Sequence, residues 1–121
     1  MEYQFPFEKL KVWQNSRTII TIIYDITNSF PKYERFCLVD QIRRAIISVA
    51  SNIAEGTSRI STKDQAHFTN LAYSSLMEVL NQLYIAYDLN YISNEIFGEL
   101  KQRIAEISNQ LNALRKFQLN K

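Results

Sequence analysis

Arg43 and Arg44 stand side by side in Gln41-Ile42-Arg43-Arg44-Ala45, and Arg59 and Lys63 follow further along the chain. Arg115, Lys116 and Lys121 form a tail with no acidic residue after Glu106. Guanidinium and ammonium groups arranged this way can meet phosphates, each contact adding a salt-dependent increment of affinity. Arg43, Arg44, Arg59 and Lys63 are therefore the candidate contacts to RNA or DNA. A plainer reading stands beside this one. Asp40 precedes Arg44 at the spacing of an intrahelical ion pair, and a solvated charged face needs no ligand. Arg43 falls within the apolar arc of its own helix, where its stem would lie along the core edge while its charge reaches water.

Other side chains able to do chemistry are sparse. The chain has one histidine, His67, and one cysteine, Cys37. Asp64-x-x-His67 approximates one Glu-x-x-His pair, whereas a carboxylate-bridged dimetal bundle needs two such pairs and two further glutamates. On a helical wheel His67 lies opposite Leu76 and so points away from a core. Helical ribonucleases of the toxin class place an arginine a few residues before a histidine; here Ser61 stands six positions before His67 and Arg59 eight. No Cys-x-x-Cys, His-Glu-x-x-His, Gly-x-Ser-x-Gly or phosphate-cradling glycine loop occurs. The expectation is a non-enzyme with no metal set and no cofactor. A single cysteine excludes an intramolecular disulfide, and Cys37 is expected to be a small packing residue.

Of 121 residues, 46% are hydrophobic and only two are glycine and two proline, which favours long uninterrupted elements in one domain over residues 1–121. A net charge of +2 does not imply nucleic-acid binding unless the cations cluster. Charged residues interrupt Met1 to Val12, so no signal peptide is read there. No apolar run approaches the roughly 18–20 residues that cross a bilayer, and a cytoplasmic setting is expected.

Hydrophobic periodicity places four helices, over about 9–29, 34–55, 62–90 and 94–117. They follow an aromatic lead-in, Met1 to Phe7, whose rings would cover an end of the core or serve as an arm for a partner. In helix one, Val12, Trp13, Ile19, Ile20, Ile22, Ile23, Tyr24, Ile26 and Phe30 span about 200° of the wheel, whereas a core-facing stripe needs only about 100° or somewhat more. The excess must be covered, and Trp13, Ile19, Ile22, Ile23 and Ile26 are the candidate subunit contact. Helix two begins near Glu34 after the Phe30-Pro31 corner. Its inward face is Leu38, Ile42, Ala45, Ile46, Val49, Ala50 and Ile53, and Gly56 is placed to end it in a left-handed conformation. Glu55 would be solvated or paired with Arg59. Ser61 or Thr62 caps helix three, whose stripe is Phe68, Ala72, Leu76, Val79, Leu83 and Ala86. Ser93 caps helix four, whose stripe is Phe97, Leu100, Ile104, Ile107, Leu111 and Leu114. Short connections between long helices imply an all-α, antiparallel up-down-up-down four-helix bundle.

The order of motifs is distinctive. Lys9-Leu10-Lys11-Val12-Trp13-Gln14, Phe30-Pro31-Lys32-Tyr33-Glu34, Gln41-Ile42-Arg43-Arg44-Ala45, Ser51-Asn52-Ile53-Ala54-Glu55-Gly56 and Ala72-Tyr73-Ser74-Ser75-Leu76-Met77-Glu78 follow one another. Together they resemble the bacterial four-helix bundle proteins encoded in intervening sequences of 23S ribosomal RNA genes, over nearly the whole chain. That family is similar to the accessory variability protein of diversity-generating retroelements, a basic bundle that forms a ring-like homopentamer and binds nucleic acid. The resemblance implies a homo-oligomer, a pentamer on that pattern, with RNA or DNA as ligand. Asn52, Glu55 and Gly56 carry the family signature, and they serve either binding or the locking of helix two to its neighbours. The alternative function is a protein-interaction scaffold, with no nucleic acid, whose apolar faces engage an unidentified protein.

Overall fold

The computed structural model describes residues 2–121 and contains four α-helices among them: α1 (Lys11–Thr27), α2 (Leu38–Thr57), α3 (Thr62–Asp88) and α4 (Asn94–Leu119). Successive helices run antiparallel. The packed pairs are α1–α2, α2–α3, α3–α4 and α1–α4, and among the described residues the diagonal pairs do not come together. The helices therefore stand in a ring around one core, as a four-helix bundle. The α2–α3 pair is the most extensively packed, and α1 is held the least.

Each helix turns a stripe inward at steps of three and four. Ile19, Ile23, Ile42, Ile46, Ile53, Leu76, Leu83, Leu100, Ile104, Ile107 and Leu111 are all buried. A fully buried aliphatic side chain of this size contributes about 1.5–3 kcal/mol relative to exposure. Ser16 and Thr27 lie buried on the inner face of α1, and each donates its hydroxyl to a carbonyl one turn back, Val12 O and Ile23 O, at 2.7 Å. No hydroxyl is orphaned there. On α4 the buried stripe leaves the expected line at its end. Leu114 is only half-buried, and Gln118 takes the inward position.

The helix ends follow local chemistry. Ser61 Oγ accepts from Asp64 N at 3.0 Å, and Ser93 Oγ accepts from Ile96 N at 3.1 Å, so each serine satisfies an otherwise unpaired amide. At the end of α3, Asn90 takes φ 65°, Tyr91 N donates to Ala86 O at 2.9 Å and Asn90 N donates to Tyr87 O at 3.0 Å. This is a Schellman ending, with asparagine in the left-handed position usually given to glycine.

Three expectations change. First, α2 starts at Leu38, four residues after Glu34. Lys32–Glu34 forms a separate 3₁₀ turn, and Glu34 Oε1 comes within 3.5 Å of Leu38 N, serving the start of α2 from outside it. Second, Cys37 is exposed at that corner and is not a packing residue. Third, Gly56 does not end its helix: no glycine among the described residues has positive φ, and α2 continues to Thr57. Gly56 is buried against α3, where a Cβ would stand 2.9 Å from Phe68 Cβ and 3.4 Å from Gln65 O. The missing side chain permits close helix approach.

The lead-in is only partly extended, because Pro6–Lys9 forms a 3₁₀ turn. Phe7 packs edge-on against Trp13 at 4.9 Å between ring centroids. Tyr3 and Phe5 pair with each other but stay exposed, so a single ring of the lead-in covers α1; Met1 lies outside the described residues.

Candidate nucleic-acid interface

The four candidate phosphate contacts do not form one site. Arg43 and Arg44 lie in the second turn of α2, whereas Arg59 lies in the α2–α3 connection at the far end and Lys63 in the first turn of α3. At 1.5 Å per residue, about 20 Å of helix separates the two groups.

Arg43 is occupied within the chain. Its Nε donates to Thr27 Oγ1 at 3.0 Å, and Nη2 donates to Tyr24 O at 3.2 Å and to Asn28 Oδ1 at 3.0 Å. Its guanidinium carbon lies 4.4 Å from the centroid of the Tyr24 ring. Tyr24 O belongs to the last turn of α1, where carbonyls carry partial negative charge, so the cation pairs one of them and ties α1 to α2. Arg44 is exposed and forms the expected ion pair with Asp40, Nε to Oδ2, at 3.0 Å. A pair this exposed contributes at most about 1 kcal/mol.

The other end of the molecule is different. Bundle topology brings together the start of α1, the α2–α3 connection and the end of α4. Residues 2–11, 55–64 and 115–121 carry seven cations and four carboxylates, while the rest of the chain carries seven cations and eight carboxylates. The net positive charge of the protein is thus concentrated here. Gln65 joins two of the segments: its Nε2 donates to Arg59 O at 2.9 Å, and its Oε1 accepts from Lys121 Nζ at 2.7 Å. Beneath them Thr69 Oγ1 donates to the buried Gln118 Oε1 at 2.7 Å. Arg59 lies over the Phe68 ring, 4.8 Å from its centroid, and reaches Asp64 at 4.0 Å; of the two readings of Glu55, the pair with Arg59 is not formed and the carboxylate is solvated. Lys63 and Glu55 are exposed, and Lys63 makes no ion pair among the described residues. Phe117 stands 64% exposed among these charges, with Lys121 Nζ 5.6 Å from its ring centroid.

Gln65, Phe117 and Gln118 are absent from the sequence-based candidates. Gln118 carried a readable signal, because it sits seven residues after Leu111 on the inward line of α4. Phe117 did not, since an aromatic beside a helical stripe reads as core edge.

Asn52 donates its Nδ2 to Ser48 O at 2.9 Å and to Ser48 Oγ at 3.0 Å, and Ser48 Oγ meets Ser75 Oγ of α3 at 2.9 Å. Together with Gly56 against Phe68, this places two of the signature residues in the α2–α3 seam. His67 is exposed beside Phe68, and among the described residues no three His, Cys, Asp or Glu side chains converge as metal ligands. No helix among the described residues is long and apolar enough to cross a membrane. Of the candidate subunit contacts, Ile19 and Ile23 are buried in the chain's own core at 1% and 0% exposure, because their positions face α2 and α4. They offer nothing to a second copy. Trp13, Ile22 and Ile26 remain at the edge, half-buried against the core.

The fold matches a crystal structure, at 1.70 Å, of a protein with unknown function from the S23 ribosomal protein family of Bacteroides thetaiotaomicron VPI-5482. The TM-score is 0.80 at 23% sequence identity, over 87% of this chain and 95% of that one. No curated protein sequence matches. The family model for the 23S rRNA-intervening sequence protein matches residues 8–113, so the match stops short of Arg115, Lys116 and Lys121. Spanning that region in sequence and built as a four-helix bundle, the chain belongs to the 23S rRNA-intervening sequence protein family.

Proposed function

We propose that the protein is a non-enzymatic, nucleic-acid-associated bundle that acts as a homo-oligomer. The observation that carries this reading is the concentration of cations at the end where α1 begins, α2 meets α3 and α4 stops. Arg59, Lys63, Arg115, Lys116 and Lys121 are the proposed phosphate contacts. Arg43 is not among them, since its donors serve α1, and Arg44, paired with Asp40, lies with it at the far end of α2 from these cations. Self-association is supported by the half-covered edge of α1, where Trp13, Ile22 and Ile26 retain accessible apolar surface.

The test is fluorescence anisotropy of labelled structured RNA and duplex DNA titrated at low and physiological salt, with solution mass determined on the same sample. Saturable binding that weakens steeply as salt rises, by an oligomer, supports the proposal. Absence of binding at low salt overturns it. A protein partner then becomes the leading reading, favoured by Tyr33 and Phe36, which stand 77% and 83% exposed at the opposite end.

A further inference from the structure

Resting on that nucleic-acid reading, we infer that the bound strand is single, with unpaired bases stacking on Phe117 and on the outer face of the Arg59 guanidinium. A phenyl ring held 64% exposed within a cluster of cations gains nothing from a duplex, whose base faces are already stacked. It gains a partner when a base is unpaired, because every base has a π-face and its backbone brings phosphates to the surrounding charges. Arg59 offers a second platform. Its inner face is covered by Phe68 at 4.8 Å, while 47% of the side chain stays exposed. Ile60, fully exposed in the connection between α2 and α3, adds apolar surface beside it. Lys121 Nζ, 5.6 Å from the Phe117 centroid and 2.7 Å from Gln65 Oε1, holds a positive charge between the α4 end and the α2–α3 corner. Aromatic, guanidinium and ammonium groups alternate across one end of the molecule, a pattern that suits a flexible strand of stacked bases and phosphates.

The experiment titrates the full chain at low salt with labelled oligouridine, oligothymidine and a mixed-sequence duplex of equal length. Anionic phospholipid vesicles provide a separate arm. Single strands of RNA or DNA are expected to bind more tightly than the duplex. Phe117→Ala is expected to weaken single-strand binding by roughly 5- to 100-fold and to leave duplex binding almost unchanged. Phe117→Tyr should retain the affinity. Lys63→Ala should weaken both ligands and reduce the salt slope by about one. Phe117 is exposed, so its variants should keep wild-type helical circular dichroism and melting, which is verified first. Duplex binding equal to or tighter than single-strand binding, or an unchanged Phe117→Ala variant, overturns the stacking inference and leaves the nucleic-acid function standing. Binding to neither nucleic acid overturns both, and binding to vesicles alone would redirect this end of the molecule to a lipid surface.

Discussion

Gly56 of α2 lies so close to Phe68 of α3 that a Cβ added to the glycine would stand 2.9 Å from the phenylalanine's Cβ. Real Cβ contacts are longer, so Gly56→Ala must push the two helices apart. Alanine is the better helix former by about 1 kcal/mol, but forcing a methyl into a packed seam costs about 1–3 kcal/mol. Gly56→Ala is therefore expected to lower the urea midpoint. Gly98 supplies the control: nothing lies within 4 Å of its added Cβ, and Gly98→Ala should stabilise by about 0.5–1 kcal/mol. Equal effects at both positions would refute the close-approach account.

Arg43 and Lys63 should separate stability from binding. Arg43→Ala removes three hydrogen bonds and the contact with Tyr24, and it is expected to destabilise by about 2–3 kcal/mol. Arg43→Lys should recover only part of this, because an ammonium cannot reproduce the planar fork of donors. Under conditions where Arg43→Ala stays folded, its affinity for nucleic acid should match wild type. A loss of binding without a loss of stability would return Arg43 to the phosphate contacts.

Gln118→Ala removes the α4 acceptor of the buried Thr69 hydroxyl, which then falls back on Gln65 O at 3.1 Å within α3, and it should destabilise by about 0.5–1.5 kcal/mol. The loss should be local as well as global. Amide exchange in the last turn of α4 should accelerate more than in α2, and binding should fall because Phe117 and Lys121 are no longer held in place. Uniform acceleration across the molecule would contradict this.

Tyr91 should make stability fall at alkaline pH. Its phenol is held above the ordinary tyrosine range by the hydrogen bond with Tyr33 and then by that with Glu34, whose Oε2 accepts from it at 2.7 Å. Ionisation would remove a donor and set two negative charges side by side. A raised folded-state pKa means that this contribution is fully present below the unfolded value of about 10 and is lost as pH rises beyond it. The denaturant midpoint of the wild type should fall more steeply above that pH than the midpoint of Tyr91→Phe. Parallel curves would show that the pair adds nothing.

The bundle itself was legible because burial is periodic. Ile42, Ile46, Val49 and Ile53 on α2, and Phe97, Leu100, Ile104, Ile107 and Leu111 on α4, are inside as their spacing requires. Ser93 was legible as a cap, and Ser61 as one of two candidates with Thr62, because a hydroxyl side chain can satisfy an amide within its own turn. Features set by a second helix were not. A glycine near a helix end reads alike whether it turns the chain left-handed or admits a neighbour, and only the position of Phe68 decides between the two. The donors of Arg43 are absorbed by residues fifteen to nineteen positions away, which no local pattern announces. The basic end suffers likewise. Its cations come from three separated stretches and become one surface only when α4 returns to the α2–α3 corner.

The uneven packing around the ring also ranks the ways in which the molecule can open. α2 and α3 share the most extensive contact and are joined by a short connection, whereas α1 is held least. In a single copy, whose α1 edge no second chain covers, the lowest-energy excursion should therefore be the detachment of α1, leaving the α2–α3 hairpin with α4 on it. Amide protection measured by hydrogen exchange should rise from α1 to the α2–α3 seam, and equal protection in α1 and α2 would contradict that order. Detachment would uncover Ile19 and Ile23, two side chains with no exposure in the closed bundle beyond 1%. A crowded or heated solution would then meet a sticky inner face, and the hydrogen bonds from Arg43 to the end of α1 oppose that opening.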